Sequence, residues 1–114
     1  MENILNDTIQ SYNEYLKKLP AGILVIADKL REKHINEALI SIKDLTEGIL
    51  WLTNASELLI KNNVLALLNI GKIQEFLLEV NEGLEKQDYV LIADIFEFEI
   101  APFFEEVEPV NIKN

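Results

Sequence analysis

Apolar residues recur every three or four positions through most of the chain, the spacing that places them on one face of an α-helix. The first series is Leu5, Ile9, Tyr12, Leu16, Leu19, Ile23, Ile26 and Leu30, with no slip of phase. Pro20 lies inside it, with Gly22 close behind. Proline disfavours the α conformation at Leu19, so the choice is between one helix kinked near Pro20 and two helices meeting there. The unbroken phase favours the kinked helix, over about residues 3–33.

A second seam, Ile35, Leu39, Ile42, Leu45, Ile49, Leu52, Ser56 and Leu59, predicts a long helix over 35–61. It should close at Asn62 and Asn63, because asparagine tolerates the left-handed conformation that ends helices. A third seam, Ile70, Ile73, Leu77, Val80 and Leu84, is flanked by Val64 and Leu67 and predicts a helix over 64–86. Gln87 and Asp88 then supply a turn, with the Asp88 carboxylate able to cap a fourth helix over 89–107. Past Pro109 the tail should be irregular.

Neither sustained period-two alternation nor an Asn-Gly or Asp-Gly turn argues for strands. The fold class is therefore all-α, and four seams with short connections predict an antiparallel up-down-up-down four-helix bundle. A chain of 114 residues is read as a single domain, 1–114, able to bury about two-thirds of its unfolded surface. INEALISIKDL at 35–45 and IQEFLLEVNEG at 73–83 share an amphipathic pattern. One such pair falls short of the three or so units that a helical solenoid needs.

The fourth seam is the least regular. At about 100° per residue, Leu91, Ile92, Ile95, Phe96, Phe98, Pro102 and Phe103 share one arc, and Asp94, Glu97, Glu105 and Glu108 the opposite one. Glu99 and Glu106 fall inside the apolar arc, with Asp88 on the same projection. A carboxylate buried there needs a cationic or hydroxyl partner, a proton, a metal ion or a route to water. Arg31, Lys29, Lys33, Tyr12 and Tyr15 are the candidate partners. Pro102 removes a backbone donor and crowds the carbonyl of Phe98, so the helix should bend or restart there.

Charge narrows the range of partners. The net charge is −10, and residues 73–114 carry eleven acids against two bases, whereas residues 1–72 are nearly balanced at nine against eight. An acidic field repels phosphate backbones and anionic membranes and leaves basic proteins or cations as partners. The longest purely apolar runs, such as Ile23–Ala27, are five residues, far below the roughly 20 that span a bilayer. No basic, apolar leader opens the chain, so a soluble cytoplasmic protein is expected.

Little catalytic chemistry is written in the chain. It holds no cysteine, and its one histidine, His34, sits in an interhelix turn beside lysine with Glu37 three residues on. Thiol chemistry, zinc-finger spacing and the paired Glu-x-x-His motifs of di-iron bundles are excluded. Phosphate-binding loops, EF-hand loops and nucleophile elbows are absent too. The sequence is read as that of a non-enzyme without cofactor, catalytic residue or assigned metal ligand.

Two functional classes remain. The first is an interaction module, an adaptor or chaperone-like acidic bundle. Ile40, Trp51 and Leu58 form a line on the outer side of the second helix, interspersed with Asp44, Glu47 and Asn54, and exposed aromatic anchors dominate interfaces. The partner would be another protein, basic or helical, or a second copy of the chain. The alternative is a cation or small-ligand binder centred on Glu99 and Glu106.

The run EKQDYVLIADIFEFEIAPFFEEV at 85–107 resembles the C-terminal helix of small uncharacterised helical proteins of Gram-positive bacteria, in which an Asp-Tyr start, an Ala-Asp pair and a late proline recur. The resemblance covers about a fifth of the chain. It implies a fold-level grouping and transfers no functional residue.

Overall fold

The computed structural model describes residues 2–111, and every regular element among them is helical. Helices α1 (Glu2–Arg31), α2 (Ile35–Lys61) and α3 (Ile70–Glu85) are followed by a last helix in three parts. These are α4 (Tyr89–Ile95), a π-helical turn (Phe96–Ile100) and α5 (Ala101–Glu105). The protein is an all-α helical bundle. The tail from Val107 to Asn111 is irregular, and residues 112–114 lie outside the described residues.

The first seam is buried from Ile9 to Leu30, and α1 runs through Pro20 as one helix. It is the spine of the bundle, packing against α2 on one side and along the whole last helix on the other. The cross-helix pairs run in opposite chain directions. Tyr15 meets Trp51 while Lys29 meets Ser41, and Asn13 meets Val110 while Arg31 meets Asp94. Between α3 and the last helix, Phe76 stacks edge-on against Phe103, and Gly83 lies so close to Ile92 that a Cβ would stand 2.6 Å from Ile92 Cγ1.

Three helices end in the same device. Lys33, Asn63 and Gln87 take positive φ of 65°, 62° and 54°. In each case the next residue's N–H reaches back to a carbonyl five residues earlier: His34 to Lys29, Val64 to Leu59 and Asp88 to Gly83. The left-handed residue itself donates three residues back, so each end is a Schellman motif that satisfies otherwise orphaned carbonyls. Asn62–Asn63 therefore closes α2 as its asparagines predict. Asp88 caps α4 by accepting from the Leu91 N–H at 3.1 Å.

The third helix is shorter than the predicted 64–86. Val64–Asn69 leaves the left-handed turn at Asn63 as an irregular segment in which burial alternates. Val64, Ala66 and Leu68 are buried, whereas Leu65 and Leu67 face out. Because both sets are apolar, hydropathy carries no trace of the alternation. Helix α3 begins only where Asn69 Oδ1 accepts from the Lys72 N–H at 3.0 Å.

The last helix also departs from a single phase. Its buried residues are Ile92, Ala93 and Ile95 in α4, Phe96 and Ile100 at the two ends of the π turn, and Ala101 and Phe104 in α5. The Ala101 N–H reaches the Phe96 carbonyl, five residues back. One extra residue in a turn shifts the face by about 100°. The wide turn sits just before Pro102 and eases the clash between the proline ring and the Phe98 carbonyl. Phe98 and Pro102, placed inward by a uniform phase, are accordingly exposed.

One side of the bundle is less closed than the others. Helix α3 packs closely on α4, but α2 and α3 do not approach each other in that way. Of the third seam, Ile73 and Val80 are buried together with Phe76, while Leu77 and Leu84 are only half-buried and border the gap.

Candidate functional site

The outward line on α2 is present as a surface. Ile40, Trp51 and Leu58 expose 65%, 42% and 49% of their area, and Leu50 is exposed beside them. Trp51 is not loose, because its ring meets Tyr15 of α1 edge-on at 6.2 Å. Tyr15 reaches this position by crossing Gly48, where a Cβ would come within 1.8 Å of the phenol oxygen. A side chain at Gly48 would displace Tyr15 and remove the support under Trp51. Burial pushes the Tyr15 hydroxyl above its ordinary pKa of 10.0.

The two carboxylates expected to point inward do not. Glu99 and Glu106 are both exposed, because the π turn rotates the buried face away from them. The cationic partner expected for them exists but serves other acids. Arg31 binds Asp94 at 2.8 Å and Glu97 at 2.5 Å, two residues that the uniform phase had placed on the outer arc. These side chains are a third to a half exposed, so the bridges contribute at most about 1 kcal/mol each. Among the described residues no three His, Asp or Glu side chains gather as a metal would need. His34 is exposed, 4.0 Å from Glu32.

Two polar groups are wholly buried between α1 and α2, namely the hydroxyls of Tyr12 and Ser56. They are neighbours, and Ser56 opposes part of the upward pKa shift that burial imposes on Tyr12. Neither hydroxyl, however, has a partner of sound hydrogen-bond geometry. The pair is therefore a close contact short of a full hydrogen bond.

The gap between α2 and α3 is a surface that sequence reasoning missed. It forms a groove of about 490 Å³ lined by Ile42, Thr46, Gln74, Leu77, Leu78, Val80, Asn81 and Leu84. Beneath it, bounded by Leu45, Ile49, Ile73, Phe76, Phe96, Ile100 and Phe104, lies a void of about 10 Å³, hardly one water molecule. The only hint in the sequence is the doubled Leu77-Leu78, which gives α3 an apolar arc wider than one seam requires.

The sequence model of the family Domain of unknown function (DUF8042) matches residues 7–110. The chain belongs to this family. The match begins in the first turns of α1 and ends at Val110, where Asn13 holds the tail with two 2.8 Å bonds, its amide donating to the Val110 carbonyl and accepting from the Val110 N–H. The DUF8042 domain is thus the whole bundle together with its C-terminal clasp. No curated protein and no solved structure matches the chain. No helix among the described residues is long and apolar enough to cross a membrane.

Proposed function

We propose that this DUF8042 protein is a non-enzymatic protein–protein interaction module, an adaptor-like acidic bundle of the cytoplasm that holds another protein on the outer face of α2. The observation that carries the reading is the exposed line of Ile40, Trp51 and Leu58. A tryptophan with 42% of its area exposed and already steadied by Tyr15 loses little freedom on binding, which favours affinity. Asp44 and Glu47, exposed on the same helix, give the line a polar, acidic rim of the kind that surrounds interface anchors.

Trp51→Glu tests the reading. A partner retained by the wild type in a pull-down, or a dimer seen in sedimentation, should be lost with the variant. Helical circular dichroism and the melting temperature should stay nearly unchanged, because the site is exposed. An assembly that survives the substitution, or a variant that unfolds, would overturn the reading.

A further inference from the structure

We infer that the open side of the bundle, between α2 and α3, is a docking groove for one amphipathic helix that carries lysine or arginine beside its apolar face. This extends the protein-binding reading to a second surface, and it stands or falls independently of the Ile40–Trp51–Leu58 line.

The shape of the groove comes first. Helix α1 packs closely on α2 and on the last helix, and α3 packs closely on α4, but no such close packing joins α2 to α3. Its floor is Ile42, Leu77, Val80 and Leu84, and Leu78 stands on the rim with 65% of its area exposed. From Gln74 to Leu84 the α3 wall runs for about 15 Å, close to three helical turns. That length accommodates the i, i+3 or i+4, and i+7 anchors of a docked helix.

Charge then selects the occupant. No lining residue is charged, so what enters the groove is apolar. Beyond Leu78, however, α3 carries Glu75, Glu79, Glu82 and Glu85 on one face. Lys72 is held by Glu75 at 3.3 Å, which leaves Glu79, Glu82 and Glu85 without an ion-pair partner among the described residues. A second copy of this chain would bring its own charge of −10 to that crest and be repelled. A helix with basic residues flanking its apolar stripe satisfies both the floor and the crest.

The test uses a synthetic amphipathic helical peptide with a leucine face flanked by lysines, and a twin with glutamates in place of the lysines, titrated onto the full chain by fluorescence anisotropy. The lysine peptide should bind, weaken as salt is raised, and outbind its twin by about tenfold or more. Leu78→Ser, at an exposed position, should reduce binding without altering the melting temperature. Glu82→Lys should narrow the gap between the two peptides, and Trp51→Glu should change neither. Absence of binding, equal binding of the twins, or loss of binding with Trp51→Glu but not Leu78→Ser would each overturn the proposal. So would a dimer of the chain alone that Leu78→Ser dissociates, since the occupant would then be a second copy.

Discussion

Tyr12 and Ser56 face each other between α1 and α2 with no exposed surface, and neither hydroxyl is properly bonded. A buried polar group left unsatisfied costs about 1–3 kcal/mol, whereas replacing both members of such a pair with apolar equivalents is often neutral or stabilising. The double variant Tyr12→Phe/Ser56→Ala should therefore lie between unchanged and about 2 kcal/mol more stable in denaturant titration. A loss of more than about 1 kcal/mol would mean that the hydroxyls are bonded after all. The same pair predicts a pH dependence. The folded pKa of Tyr12 is raised above the ordinary 10.0, mainly by burial, so its contribution is fully present below that value and is lost as pH rises through the folded one. Melting temperature should fall in that alkaline range and fall less in Tyr12→Phe, with Tyr15, also raised by burial, supplying the remainder. Single residues were unevenly legible in the sequence. The Asp88 cap was readable because capping depends on local chain geometry alone. The outward phase of Trp51 was readable because α2 keeps one phase, whereas whether a neighbouring helix covers it depends on packing that the phase does not give. The place of Glu99 was not, since it depends on how many residues the preceding turn contains.

The three Schellman ends carry a local conflict. Glycine is the usual residue at the left-handed position, yet here it is Lys33, Asn63 and Gln87. A side chain with a Cβ costs about 1–2 kcal/mol in that conformation, and asparagine is the least penalised of the three. Lys33→Gly and Gln87→Gly should each raise stability by about 0.5–1 kcal/mol after the greater chain entropy of glycine is counted, and Asn63→Gly should raise it less. Chemical denaturation of the three variants checks the order, and a loss of stability at Lys33 or Gln87 would show that their side chains support the turns. At this scale the long seams of α1 and α2 were legible because eight apolar positions in one phase in the first, and seven with Ser56 in the second, leave only one face to bury. Val64–Asn69 was not, because an apolar string looks alike whether it alternates or coils. The π turn was half legible: Pro102 announced a disturbance, but not that the turn before it would take an extra residue.

At the scale of the molecule, the bundle measures 47 × 21 × 21 Å, with a radius of gyration of 15.0 Å. A chain of this length in a rounder domain would have a radius nearer 13 Å. The length is that of α1, whose 30 residues span about 45 Å and connect α2 with the last helix. Helix α3 stands apart from this arrangement. It is 16 residues long, is reached through the irregular Val64–Asn69 segment, and packs closely only on the last helix, along α4 and through Phe76 against Phe103. Segments with few close neighbours open first, at free energies below that of global unfolding. Native-state hydrogen exchange should therefore find the amides of Phe76, Val80 and Gly83 less protected than buried amides of α1 such as those of Tyr12 and Ile23. The lysine peptide, if it docks across α2 and α3, binds only the closed form. At a hundredfold excess over its Kd it should then raise α3 protection by about 2.7 kcal/mol, while leaving amides that exchange by small local fluctuations unaltered. Protection of α3 equal to that of α1 in the free protein would mean that the fourth side is as firmly closed as the other three, and the groove would then be a shallow surface rather than a place where a helix is missing.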